Sequence, residues 1–293
     1  MNKVQLDELI ATDYKDLISI AKIKNKYKTS YERIKRVSIE RNIWNPEGRT
    51  FYMKKHCKDH LRSVKENPFQ NLKDDDVQYW LGMLITDGSI TNNCISLSLS
   101  IKDFDHIEKY KNFLKSSLKI TTSKDKRFDN SSMSKFTFCN FEVTNFLETL
   151  GITKRKTFTV KYNSKINWNF LRGVIDGDGC YYKGFNEKSK TNHCRISIAT
   201  ASYEFAKQIS DFYKENQIKH TLYPVKNRNI FYLNVDNFIN CKKLIYNLYK
   251  NANTFMRRKY INAQLISNCQ LKTDLKFREP ALGILSEINT PKR

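Results

Sequence analysis

The chain has 293 residues, 40% of them hydrophobic, so it can bury a sizeable core and is not a disordered protein. Its 52 lysines and arginines exceed its 30 aspartates and glutamates, and the resulting charge of +22 indicates a polyanionic partner. No apolar run approaches the ~20 residues that span a bilayer, and the N-terminus has no signal-peptide core. We therefore expect an intracellular protein without a membrane partner.

Residues 1–70 are predicted to form a small helical domain. Apolar spacing indicates one helix over 17–27 and a second over 31–41, with Ser30 as the N-cap of the second. This order is typical of a helix-turn-helix, whose second helix enters a DNA groove. A simple structural cap is the open alternative. The basic residues of the second helix, which are candidate DNA contacts, are Arg33, Lys35 and Arg36.

A helical segment that ends in Asp-Gly then occurs twice, as YWLGMLITDG at 79–88 and FLRGVIDGDG at 170–179. After each copy come alternating strands and amphipathic helices in the same order. Each half is therefore predicted to be an αββαββα subdomain, and the fold class is α+β with two pseudo-symmetric halves. The expected boundaries are 71–162 for the first subdomain, 163–268 for the second and 269–293 for a basic tail.

The alternating strands leave one polar face, because their apolar residues must turn toward the helices. A two-stranded ribbon of this kind fits the major groove of DNA, although plain solvent exposure explains each side chain equally well. The candidates on this face are Ser96, Ser98, Ser100, Lys135, Thr137, Arg195, Ser197, Tyr232 and Asn234. Basic candidates in strands and hairpins are Lys124, Lys126, Arg127, Lys183, Lys226 and Arg228.

Small residues four apart mark one face of each repeated helix. They predict that the two helix backbones pack closely through Gly82, Thr86, Gly173 and Gly177. We also expect Gly88 and Gly179 to adopt the left-handed conformation that closes a helix.

This packing brings Asp87 and Asp178 to the ends of adjacent helices. The helix dipole and mutual repulsion disfavour two carboxylates there, so the pair needs a cation. Hard divalent ions bind oxygen ligands and promote phosphodiester hydrolysis. One Asp at a helix end, taken alone, would be better explained as the cap of a turn. The repeated Asp in a basic protein therefore predicts metal binding and catalysis by Asp87 and Asp178.

The two segments resemble the motif of the LAGLIDADG homing endonucleases in their single-chain form, over about residues 76–265. The second copy keeps both acids of the motif, Asp176 and Asp178, whereas the first has Ile85 at the earlier one. The resemblance implies a saddle of two β-sheets over duplex DNA, with Mg²⁺ (or Mn²⁺) between Asp87 and Asp178. It also implies one lysine near the metal in each half, and the matching positions are Lys156 and Lys259.

The sequence thus predicts a site-specific double-strand DNA endonuclease, monomeric, with a long and asymmetric target. Two other functions stay open on the same scaffold: an intron maturase that binds RNA, and a catalytically silent DNA-binding regulator. Retention of both motif aspartates favours cutting. The lysine-, asparagine- and isoleucine-rich usage is typical of an AT-rich genome. We therefore expect the cytoplasm or nucleoid of a phage-infected or low-GC bacterial cell, or an organelle.

Overall fold

The structure is a computed structural model that describes residues 2–16, 18–44, 64, 66–91, 93–124, 132–154, 156–188 and 191–269. It divides into two compact units, one of residues 1–66 with 138–140, and one of the rest. Lys126, Arg127 and the predicted tail beyond residue 269 lie outside the described residues. No helix in the described ranges is long and apolar enough to cross a membrane.

The first unit contains helices that pack around a small apolar core of Ile10, Ala11, Ile23, Ile34 and Val37. Its helices are α1 (Lys3–Lys15), α2 (Ile20–Tyr27) and α3 (Tyr31–Glu40). The helix expected from residue 17 begins only at Ile20, because the Ser19 side chain caps it by accepting from Lys22 N at 3.3 Å. The predicted cap of α3 is present, since Ser30 Oγ accepts from Arg33 N at 3.2 Å.

The second unit contains two halves with the same order of elements. The first half has α4 (Asp75–Thr86), β1 (Gly88–Thr91), β2 (Cys94–Ser100), α5 (Phe104–Phe113), β3 (Thr121–Lys124), β4 (Ser132–Cys139) and α6 (Phe141–Thr149). The second half has α7 (Trp168–Asp178), β5 (Gly179–Asn186), β6 (Thr191–Thr200), α8 (Tyr203–Glu215), β7 (Thr221–Pro224), β8 (Phe231–Asp236), α9 (Phe238–Tyr249) and α10 (Arg257–Ser267).

Each half builds one antiparallel four-stranded sheet, in the strand orders β1-β2-β4-β3 and β5-β6-β8-β7. The predicted α+β class and the αββαββα order of each half are confirmed. Helix α10, which comes after these seven elements in the second half, was not predicted. The apolar side chains of β6, such as Ile196 and Ile198, are buried, and each contributes roughly 1.5–3 kcal/mol to folding.

Helices α4 and α7 pack backbone to backbone through their glycines. A Cβ on Gly82 would lie 2.1 Å from the carbonyl oxygen of Phe170, and one on Gly173 would lie 2.1 Å from that of Tyr79. Both distances are far shorter than any real contact, so no side chain fits at either position. This contact sets the ends of the two helices side by side.

The expected left-handed conformation of Gly88 and Gly179 was wrong. Gly88 is the first residue of β1, and Gly179 begins β5 with an extended backbone, φ −78° and ψ 156°. Glycine is needed there for space instead. A Cβ on Gly88 would lie 2.4 Å from the Leu84 carbonyl oxygen, and one on Gly179 would lie 2.5 Å from that of Ile175.

Candidate active site

The two motif aspartates lie at the adjoining C-terminal ends of α4 and α7. Asp87 is the C-cap of α4 and donates its backbone N–H to Met83 O at 2.9 Å, while Asp178 is the last residue of α7. Asp87 Oδ2 lies 3.1 Å from the position that a Cβ on Gly177 would occupy, next to Asp178. The Gly177 face therefore lets the Asp87 carboxylate approach the end of the other helix.

The electrostatics of the two carboxylates are unfavourable in the absence of a cation. Desolvation and the negative charge of Asp178 raise the pKa of Asp87 to about 7. Loss of hydration also raises the pKa of Asp178, which is the more exposed of the two, and the charges of Lys156 and Lys259 oppose this. Near neutral pH, Asp87 is therefore only partly ionised unless a cation binds.

The two candidate lysines occupy matching positions around this pair. Lys156, on a short 3₁₀ turn, donates from Nζ to the carbonyl oxygen of Gly88, and Lys259, in α10, donates to that of Gly179. Burial lowers the pKa of both lysines, and the negative charges of Asp87 and Asp178 oppose this at Lys156. Each half thus brings one ammonium group to the residue that directly follows its motif aspartate.

These residues suit a hard divalent cation. Two carboxylates whose pKa values are raised by burial and, for Asp87, by repulsion gain from a cation between them, and oxygen donors are what Mg²⁺ and Mn²⁺ prefer. Within the described ranges, no group of three or more His, Cys, Asp or Glu residues could hold a metal. Water, phosphate oxygens and backbone carbonyl oxygens are the further ligands that such an ion accepts.

Comparison with protein families supports the resemblance seen in the motifs. The family model described as a LAGLIDADG-like domain matches residues 165–255. The second half of the chain is similar to a LAGLIDADG-like domain. The match confirms the family that the two motifs predicted. It covers α7 with Asp178 and all of the second sheet, and it ends just before α10.

Solved structures of this family resemble the chain at low identity. Meganuclease I-SmaMI bound to uncleavable DNA is 13% identical, and the match covers 64% of this chain and 86% of that one with a TM-score of 0.48. The LAGLIDADG homing endonuclease I-LtrWI bound to target DNA is 15% identical, with 66% and 90% covered and a TM-score of 0.48. No protein with a curated description matches the sequence.

The predicted polar face of the sheets is present, but its members differ in exposure. Lys135 and Arg195 are exposed, and Ser98, Ser100, Thr137, Ser197 and Tyr232 are half-buried. Arg195 Nε forms an ion pair with Asp236 at 2.6 Å. The hairpin residues Lys124, Lys226 and Arg228 are exposed.

Three of these residues lie where we did not expect them. Ser96 is 6% exposed and hydrogen-bonds Thr137 at 2.9 Å, and Asn234 is 3% exposed and donates to the Tyr223 hydroxyl at 3.0 Å. The alternation of the strands predicts which face Ser96 and Asn234 lie on, but it does not predict that neighbouring side chains cover them. The expectation that these two residues are exposed was therefore wrong. Lys183 pairs with Cys194 in the ladder, whereas the neighbouring pair joins Tyr182 to Arg195. Lys183 therefore points to the face opposite Arg195.

The basic residues predicted on α3 are engaged within their own unit. Arg33 Nε lies 2.8 Å from Asp7 Oδ1, and Arg36 lies 3.7 Å from Asp7 and 3.8 Å from Glu40. Lys35 lies over the ring of Trp44, at 6.0 Å from its centroid. The sequence reasoning passed over the exposed lysines of α2 and its turn, which are Lys22, Lys24, Lys26 and Lys28.

Sequence reasoning also missed the groups that hold α10 in place. Arg258 donates to both carboxylate oxygens of the buried Asp103, at 3.0 and 2.8 Å. Asp103 lies 155 positions earlier in the chain, and neither residue belongs to a repeated motif. No sequence signal pointed to this pair.

Proposed function

We propose that this protein is a site-specific double-strand DNA endonuclease that uses Mg²⁺ or Mn²⁺ held by Asp87 and Asp178. The observation that carries the proposal is the arrangement at the α4 and α7 ends, where two carboxylates with raised pKa values lie with the half-buried Lys156 and the buried Lys259. Perturbed titratable groups of both signs in one place are typical of catalytic sites. The family match to the second half agrees with this assignment.

The roles of the side chains follow from their chemistry. A bound divalent ion supplies a water of lowered pKa and positive charge for the phosphate oxygens. Asp87 and Asp178 would hold it in their ionised forms. Lys156 and Lys259 would act as catalytic residues, because an ammonium held beside each motif stabilises charge that develops on a phosphate. Each lysine contacts the glycine that follows the motif aspartate of one half, and we propose that each serves the cut of one DNA strand.

The substrate class follows from charge and from the two sheets. A net charge of +22 favours a phosphate backbone, and the polar faces of the sheets, with Lys135 on the first sheet and Arg195 on the second, would reach base edges in the major groove. The two faces differ in chemistry, since hydroxyl groups dominate the first and Tyr182, Tyr223 and Tyr232 enrich the second. We therefore propose a long, asymmetric duplex target that is bound by one copy of the chain.

The N-terminal unit would add contacts to the DNA backbone. Its α2 and the following turn present several exposed lysines, whereas Arg33 and Arg36 of α3 are paired with acidic side chains. Lysines contact phosphates without reading sequence, so this unit would increase affinity more than specificity. Lys28, with φ 47°, closes α2 in the left-handed conformation and places its side chain at the turn.

The experiment that tests the proposal is cleavage of a randomised duplex library by the purified protein. We expect cuts in the presence of Mg²⁺ and none with EDTA, and the sequenced ends should define one asymmetric site. A library that stays intact with both Mg²⁺ and Mn²⁺ would contradict the nuclease assignment. A selected site that is a perfect palindrome would contradict the asymmetric target.

A further inference from the structure

Asp176 is a buried carboxylate to which the proposed chemistry assigns no role. It lies on α7 two residues before Asp178, and only 1% of its surface is exposed. Its Oδ2 accepts hydrogen bonds from Met256 N at 2.7 Å and from the Tyr79 hydroxyl at 2.8 Å. A buried carboxylate is costly to keep, so the contacts that it makes identify what it does for the structure.

Met256 is the N-cap residue of α10, the helix that carries Lys259 in its first turn. The Met256 side chain makes no capping hydrogen bond, and Asp176 instead binds this end of the helix through the Met256 N–H. A carboxylate at a helix N-terminus is also favoured by the helix dipole. Asp176 therefore binds the residue at which α10 begins, three positions before Lys259, whose ammonium group donates to Gly179 O.

The segment that leads into α10 is held by the same face of α7. Arg172, four residues before Asp176, donates to Leu248 O at 2.6 Å and to Thr254 O at 2.8 Å. Arg258 adds the ion pair with Asp103 of the first half. The start of α10 is thus fixed by a polar network in which Asp176 binds its first residue.

The first half holds its lysine in a different way. The motif positions that match Arg172 and Asp176 are Leu81 and Ile85, which have no side-chain hydrogen-bonding group. Lys156 lies on a three-residue 3₁₀ turn, Lys156–Phe158, whereas Lys259 lies on an eleven-residue helix. Loss of Asp176 should consequently disturb one lysine and leave the other in place.

We propose that Asp176 is a positioning residue for Lys259, and that it keeps the rate of one of the two strand cuts matched to the other. This inference rests on the proposed nuclease function and adds a residue to it. Without the bond to Met256 N, the start of α10 shifts and the cut served by Lys259 slows. The cut served by Lys156 keeps its geometry.

The test is strand-resolved, single-turnover cleavage of the selected duplex, with each strand labelled. Asp176→Ile introduces the residue that the first half has at this position, Ile85. It should slow the cut served by Lys259 about 100-fold, as expected when the ammonium group moves by about 1 Å, and the other cut less than about threefold. Asp176→Asn keeps an acceptor oxygen for Met256 N and should leave both rates within about threefold of the original protein. Met256→Pro removes the N–H at a φ of −79° that proline accepts, and should reproduce the strand bias of Asp176→Ile.

Ser210→Ala is the matched control for a general loss of stability in the second half. Ser210 lies on α8, is 3% exposed and hydrogen-bonds His220 at 2.7 Å. Because this bond does not involve α10, the variant should leave the ratio of the two strand-cleavage rates unchanged. Equal slowing of both strands by Asp176→Ile, an unchanged ratio, or an Asn variant as biased as the Ile variant would overturn the proposal.

Amide hydrogen exchange separates this inference from the nuclease assignment. If the protein cuts no DNA, the nuclease proposal fails, and exchange in the 254–260 segment still tests the role of Asp176. Faster exchange there in Asp176→Ile than in the Asn variant, with 152–158 unchanged, supports the positioning role. Equal exchange in the two variants overturns it.

Discussion

At the scale of single residues, Asp87 makes the stability of the protein depend on pH. The pKa of Asp87 in the folded protein is about 7, above the ordinary 3.8. The folded protein is therefore more stable when Asp87 is protonated than when it is ionised. Below about pH 4 the carboxyl is protonated in both states, and it has no effect on stability. Between that pH and about 7, Asp87 is ionised in the unfolded state but still protonated in the folded state, so the free energy of unfolding falls as pH rises. Above about pH 7 the carboxyl is ionised in both states, and the free energy of unfolding stays at its lowered value.

Asp87→Asn should therefore stabilise the metal-free protein at high pH. We expect a gain of about 2 kcal/mol near pH 8 and none near pH 4, from urea unfolding in EDTA. The matched control is Asp211→Asn. Ion pairs with Lys207 and Lys214 lower the pKa of Asp211, so its loss should not stabilise the protein. A variant at Asp87 that is less stable than the original protein near pH 8 would contradict this account.

Addition of a divalent ion should reverse this difference. A ligand that binds only the folded state stabilises it by about 2.7 kcal/mol when present at about 100 times its dissociation constant. We expect Mg²⁺ to raise the melting temperature of the original protein near pH 8, and to have much less effect on Asp87→Asn or Asp178→Asn. An equal Mg²⁺ response in all three proteins would show that the ion binds elsewhere.

The sequence predicted some of these residues and not others, for physical reasons. Asp87 and Asp178 stand out because the same acid ends both repeated helices. Asp176 has no counterpart in the first copy, and its partner Met256 lies 80 positions later, so no local pattern joins them. The burial of Ser96 and Asn234 depends on neighbours in adjacent strands, which alternation within one strand does not specify.

At the scale of elements, the packing of α4 against α7 determines the site. Gly82→Ala or Gly173→Ala would place a methyl group 2.1 Å from a facing carbonyl oxygen, so the helices must separate. We expect each to lose about 2–4 kcal/mol of stability in urea unfolding, and to lose cleavage with it. Gly184→Ala is the control, because the atoms nearest to its Cβ would be the ends of the Tyr182 and His193 side chains and not backbone. A Gly82 variant as stable as the control would contradict the packing.

The elements themselves were predictable wherever a period was clear. The small residues of α4 and α7 indicated their contact, and alternation located β2, β4, β6 and β8. Strand β5 carries exposed residues on both faces and shows no such alternation. The apolar pattern of helix α10 is too weak to predict a helix from the sequence. Hydrogen bonds to the distant residues Asp176 and Asp103 hold its first turn instead.

At the scale of the whole molecule, charge should control binding. A protein that neutralises about 6–10 phosphates loses roughly 10³–10⁵ in affinity between about 50 and 200 mM salt. We expect a slope of this size for the +22 chain, measured with Asp87→Asn so that no cutting interferes. Replacement of Lys22, Lys24 and Lys28 by Gln should reduce the slope without changing the preferred site. An affinity that does not depend on salt would contradict phosphate binding.

Under the proposed function, the duplication within the second unit would let one chain make both cuts. Each half supplies one aspartate at a helix end and one lysine beside the following glycine, and differences between the halves lie in the surrounding residues. The central claim is that the two aspartates work as a pair around a metal ion. Loss of either should therefore stop both cuts while the DNA-binding faces stay intact.

The most direct measurement is single-turnover cleavage of the selected duplex in Mg²⁺ by the original protein, Asp87→Asn, Asp178→Asn and the control Asp211→Asn, with DNA affinity measured alongside. We predict that either motif variant cuts at least about 10³-fold more slowly while it binds DNA with undiminished affinity, and that the control cuts normally. Cleavage by Asp87→Asn or Asp178→Asn at the rate of the original protein would contradict the account.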